Sequence, residues 1–204
     1  MFRPVPGERS VVLNFLRRPE AEFDAYARPF HDAARELAWR ALESRVAREL
    51  DALPIVVLYR HALELSMKAV VLEGNLRLSL FGEGLSDRKL WALLKGHRLT
   101  PLLPAIRRVF MSAGWGWYWE DPAIRTFARV QRVLRDLERV DPHAFTFRYP
   151  TNVRGEASVP HHFEFSLRAF VAVVDPLVEA FDTAAFGLSA EYGQIAEALA
   201  EQGR

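Results

Sequence analysis

The sequence predicts an all-α protein: an antiparallel four- to five-helix up-and-down bundle with a short extended and turn-like insertion before the last long helix. Three observations carry that prediction. Apolar residues recur at helical spacing through long stretches, with Arg and Glu on the opposite faces. The stretch after Pro54 is apolar around most of its circumference, as a helix central to a bundle must be. Proline and glycine fall between these stretches, and only Phe145 to Pro150 alternates as extended chain does.

Residues 1–18 read as an irregular arm, with Pro4, Pro6 and Gly7 early and Val11, Val12 and Leu13 as a short apolar contact. A first amphipathic helix is predicted from Glu20 to Leu50, on the stripe Phe23, Tyr26, Phe30, Ala34, Leu37 and Ala41, with Pro29 as a kink or a later start. Pro54 suits the first position of a second helix, which Gly74 and Asn75 end or loosen. A loop with Gly82 and Gly84 leads to a short helix from Asp87 to Lys95, closed by Gly96. Thr100 and Pro101 then open a helix running to Ser112.

Trp115, Trp117, Tyr118 and Trp119 make a compact aromatic loop, whose aromatic rings suit stacking on bases, core or dimer interface. Asp121 and Pro122 form a cap and first-turn pair for a helix with Ile124, Phe127, Val130, Leu134 and Leu137 on its apolar stripe. Asp141 and Pro142 stop it. Residues 151–160 are turn-like with Arg154 and Gly155 near the tip. A long helix from Phe163 to Thr183 follows, kinked at Pro176, and Ser189 caps a last accessory helix within 184–204. With no repeat and no flexible linker, residues 1–204 form a single domain.

Composition excludes several function classes. The net charge of +1 places no general demand for nucleic acid, although a local basic surface is compatible with it. The basic residues are 24 Arg against three Lys, a bias that GC-rich coding explains and that also supplies two-point phosphate and carboxylate binders. Cysteine is absent, which removes disulfides, thiolate catalysis and Cys-based zinc sites together. The first residues do not follow the signal-peptide pattern, and no stretch reaches the roughly 18 apolar residues of a membrane span. The expected location is the cytoplasm. There is no His-Glu-x-x-His, no Glu-x-x-His, no phosphate-binding glycine loop and no Gly-x-Ser-x-Gly elbow, so no metal and no cofactor are predicted.

Three segments carry a family resemblance. They are Tyr59-Arg60-His61-Ala62-Leu63-Glu64-Leu65-Ser66-Met67-Lys68-Ala69, then Gly96-His97-Arg98-Leu99-Thr100-Pro101-Leu102-Leu103, then Phe147-Arg148-Tyr149-Pro150. In order and spacing the chain resembles the HEPN superfamily, the helical "higher eukaryotes and prokaryotes nucleotide-binding" proteins, over about two-thirds of its length. The resemblance implies a helical bundle that often dimerises. It also implies a place in defence, toxin–antitoxin or RNA-processing systems, either as a ribonuclease or as a non-catalytic partner of RNA, a nucleotide or another protein.

Catalytic members carry an Arg followed by four to six residues and a His. Arg154 and His161 are the pair that fits, and they are the candidate catalytic residues of a metal-independent endoribonuclease: His as proton acceptor, Arg as the cation facing the phosphorane. One such pair is no more than chance provides among 24 Arg, and Gly155 replaces the family's usual polar residue after the Arg. The leading expectation is therefore a non-catalytic module that binds RNA, a nucleotide or a partner protein, as a homodimer and away from membranes. Its candidate binding residues are Arg60, His61, Glu64, Lys68, His97, Arg148 and Tyr149. Arg60, Glu64 and Lys68 share one helical face at four-residue steps, which serves either a ligand pocket or an internal ion-pair ladder. His97 caps helix ends or pairs with Glu64, and Arg148 serves as a clamp or a phosphate contact.

Overall fold

The computed structural model describes residues 22–44, 49–117, 119–159 and 162–202. Among the described residues there are six α-helices: α1 (Phe23–Glu43), α2 (Ala52–Ser79), α3 (Asp87–Leu94), α4 (Leu103–Ser112), α5 (Phe127–Val140) and α6 (Leu167–Gln202). Among the described residues there is no strand, and the all-α bundle stands as expected; the eight-residue α3 falls where a short helix from Asp87 was expected. No described helix is long and apolar enough to cross a membrane.

Side-chain contacts fix the directions. Lys68 stands over Phe23 and His61 meets Phe30 edge-on, so α1 and α2 are antiparallel. Tyr59 bonds Asp175 and Arg77 bonds Glu191, so α6 runs with α2. Asn75 accepts from Leu85 N at the start of the α3 segment, and His97 beyond its end returns to Glu64, so α3 descends beside α2. Val109 and Ser112 of α4 then rise along Gly74 and Arg77, and α5 descends, placing Phe127 under Arg107 and Glu138 at Thr100. Each helix thus opposes the one before it. The core lies around α2, whose Tyr59, Leu63, Met67 and Val70 are fully buried with Ile106, Leu134, Leu177 and Phe181.

Several boundaries differ from the sequence expectation. Helix α2 runs on through Gly74 and Asn75 to Ser79. Gly74 is a packing residue: a Cβ there would sit 2.4 Å from both methyls of Val109. Gly74→Ala is therefore expected to cost about 1–2 kcal/mol, the overpacking penalty less the gain in helix propensity. Urea unfolding measures it, and Val109→Ala in the same background should restore part of the loss.

The expected break near residue 184 is absent, and α6 continues for 36 residues, about 54 Å of helix at 1.5 Å per residue. Ser189 lies inside it and interacts with Glu73 instead of capping. At the other end α6 begins at Leu167, after a segment expected to be helical from Phe163. Helix α5 begins at Phe127, where the Thr126 hydroxyl accepts from Arg129 N, while Asp121 only closes a turn onto Ala123 N.

The extended stretch expected at residues 145–150 is instead a series of turns, because Asp141 accepts from Phe145 N at 2.7 Å and Thr146 N at 3.0 Å and curls the chain. Pairing there amounts to a single bridge between Thr151 and Ala157. The described tryptophans of the aromatic loop pack half-buried against the core: Trp117 and Trp119 meet Phe110 and Phe181. Residues 1–18, Tyr118 and His161 lie outside the described residues.

Candidate functional site

The polar stripe of α2 lies inside the bundle. Arg60 and Glu64 are each 2% exposed and Lys68 5%. At these positions α2 has no water to answer its charges, so they answer each other. Glu64 Oε2 accepts from Arg60 Nη1 at 3.2 Å, and its Oε1 accepts from Lys68 Nζ at 2.7 Å. His97 Nδ1 reaches Glu64 Oε1 at 3.0 Å while the rest of its ring faces solvent, and Arg60 donates to the His97 carbonyl. The residue expected to pair with Glu64 across the bundle thus does so. Burial pushes the Glu64 carboxyl up, but Lys68, Arg60 and His97 outweigh it and hold the group below its ordinary pKa. Burial lowers the pKa of His61, helped by the charges of Arg148, Lys68 and Arg60 against the opposing pull of Glu64.

Two further carboxylates, both outside the expected site, anchor this region. Glu138 of α5 accepts from Leu99 N, Thr100 N and Thr100 Oγ1 and meets Arg98, so the turn into α4 is strapped to α5. Asp175 of α6 accepts from His31 Nε2 at 2.8 Å and Tyr59 OH at 2.9 Å, joining α1, α2 and α6. For both, burial raises the pKa and the hydrogen bonds lower it further than burial lifts it. Glu73 and Asp182 go the other way, raised first by burial.

A pH dependence of stability follows. The depressed Glu64, Glu138 and Asp175 stabilise the fold above their unfolded values of 4.5, 4.5 and 3.8, and that contribution is lost as pH falls through the lower folded values. The raised Glu73 does the reverse, weakening the fold as pH climbs past 4.5. The urea midpoint should therefore be lower at about pH 3 than at about pH 6, and Glu73→Gln should raise it at the higher pH only.

The remaining candidates meet on the turns after α5. Asp141 ties residues 145 and 146 to the helix end, and Thr146 Oγ1 bonds the Val140 carbonyl. On that base Phe145 and Tyr149 stack face to face, ring centroids 4.7 Å apart and planes within 26°. Arg148 lies between them in sequence and is exposed, its charge acting on His61. Beyond lies the tight turn at Asn152, whose Oδ1 accepts from Arg154 N and Glu156 N, with Gly155 at φ 78°. Arg154 is exposed at its tip, as expected. The structure thus places Arg148, Tyr149 and Arg154 exposed on the turns, and Arg60, Glu64 and Lys68 buried in the bundle.

Phe145 was not among the expected binding residues. Its stack with Tyr149, four positions along, becomes legible only once the stretch is known to be a turn. No protein-family model, curated protein or solved structure matches the chain. The resemblance to HEPN proteins rests on the chain's own three segments.

Proposed function

We propose that the protein is a non-catalytic helical module, of the kind found among HEPN proteins, that binds single-stranded RNA across the turns of residues 141–156. The observation that carries this is the Phe145–Tyr149 stack, 46% and 51% exposed on a base tied to the end of α5 by Asp141. Aromatic faces left open to water are platforms for unpaired bases, which stack on them with little regard to sequence. Arg148 and Arg154 make no ion pair among the described residues, so both charges are available to phosphates. Exposed Phe186 and Met111, 76% and 70% open, are the apolar surface we assign to a second copy of the chain.

Fluorescence anisotropy with a labelled oligouridine in chelator tests the reading. Saturable, salt-sensitive binding is expected, with the RNA left intact. Phe145→Ala/Tyr149→Ala should weaken it about tenfold or more, at 1–3 kcal/mol per stacked base. Wild-type affinity in the folded double variant would overturn the proposal. Cleavage abolished by His161→Ala would replace it with the ribonuclease alternative built on Arg154 and His161.

A further inference from the structure

Helix α5 carries two stripes. Val130, Leu134 and Glu138 face the core, whereas Arg129, Val133, Leu137 and Val140 face a separate cleft between α2, α5 and α6. The cleft encloses about 400 Å³, within the range of small-molecule sites. One wall is aliphatic, from Val133 and Leu137 of α5 and Val173 and Val174 of α6. The other is a run of aromatic rings, each in contact with the next: Phe147 with Phe163, Phe163 with Phe165, Phe165 with Phe170, at centroid separations of 6.0, 5.6 and 6.1 Å. The cleft borrows Asp141 and Phe147 from the turns of the RNA reading, but Phe145 and Tyr149 do not line it.

The charges around the cleft do not cancel. Arg60 is matched by Glu64. Asp136 is paired with Arg139 at 3.1 Å, and Asp141 takes the backbone N–H groups of Phe145 and Thr146 on one oxygen, Oδ1, while its charge acts on Arg60. Arg129 donates only to a backbone carbonyl, that of Ala123, and Arg132 has no polar partner among the described residues. Both stand exposed, three residues apart on one face of α5. An apolar slot is therefore rimmed by two guanidinium groups lacking a carboxylate, in the planar geometry that favours one.

We propose that this cleft binds a small aromatic monocarboxylate, its ring between the phenylalanine run and the valines, its carboxylate on Arg132 and Arg129. Edge-to-face contacts with the phenyl rings favour a flat aromatic body over a flexible acyl chain, whose ordering costs more entropy. The Arg rim favours an anion over a neutral or cationic head.

The test is calorimetric titration of the full chain with 2-naphthoate, its neutral analogue 2-naphthylmethanol, and decanoate as the acyl counterpart. One 2-naphthoate per chain is expected, at least tenfold tighter than either comparison compound. Arg132→Glu should weaken 2-naphthoate at least tenfold while leaving 2-naphthylmethanol unchanged. Val173→Trp, which fills the slot, should abolish both, with folding of each variant checked by its unfolding curve. Equal affinity for 2-naphthoate and 2-naphthylmethanol, tighter binding of decanoate, non-saturating uptake, or a folded Arg132→Glu variant that binds like wild type would each overturn the proposal.

Discussion

Glu64→Ala is expected to lower the free energy of unfolding by about 3–5 kcal/mol, the usual cost of removing one partner from a buried charge pair. Glu64 is the single carboxylate that Arg60, Lys68 and His97 all meet. Without it, two cations that are 2% and 5% exposed stay in the core unpaired. Glu64→Gln keeps the shape and one acceptor oxygen but turns the other into an N–H donor facing a cation, so it should cost less than Glu64→Ala yet still forfeits the charge. Replacing the set together, as Arg60→Met/Glu64→Leu/Lys68→Met, should recover most of the stability lost in Glu64→Ala, because no charge is then stranded. Urea denaturation of the three variants decides the matter. A loss under about 1 kcal/mol for Glu64→Ala would mean that solvent reaches the ladder, contrary to its burial.

Glu138→Ala is expected to cost about 3 kcal/mol, because it strands the backbone N–H groups of Leu99 and Thr100 as well as the Thr100 hydroxyl. Leu99 is fully buried, so its N–H has little water to turn to. The same turn carries the His97 carbonyl that holds Arg60. The Glu64→Ala and Glu138→Ala losses should therefore not add: a double-mutant cycle is expected to show a coupling of about 0.5 kcal/mol or more. Strict additivity would show that the α4 entry turn and the α2 ladder act independently.

The helical pattern was legible wherever side chains alone decide it. The apolar circumference of α2 announced a central helix, and the four-residue steps of Arg60, Glu64 and Lys68 announced either a pocket or a ladder. The choice between those two depends on what packs over the stripe, which local spacing does not contain. Glu138 did carry a signal, since it continues the Val130 and Leu134 stripe into the core, but the apolar stripe read from the sequence ran to its neighbour Leu137 instead.

Two of the missed boundaries have their cause in tertiary contact. Gly74 and Gly187 look like helix breakers in isolation. In the fold they make room for Val109 and for Trp115, whose ring would lie 3.0 Å from a Cβ at Gly187. Likewise, alternation in Phe145 to Pro150 implied extended chain, but no described strand lies alongside to pair with it, and the Asp141 side chain turns the backbone instead. Arg148, Tyr149 and the Arg154 tip were legible as candidates, whereas their neighbour Phe145 was concealed by that misassigned geometry.

The central claim is that unpaired bases stack on Phe145 and Tyr149. Photo-crosslinking tests it most directly: an oligonucleotide carrying 5-iodouridine is irradiated with the protein, and mass spectrometry locates the adducts. Adducts on Phe145 or Tyr149, competed away by unlabelled single-stranded RNA, are the expected result. Adducts confined to the Trp115–Trp119 loop, or none at saturating RNA, would contradict the account.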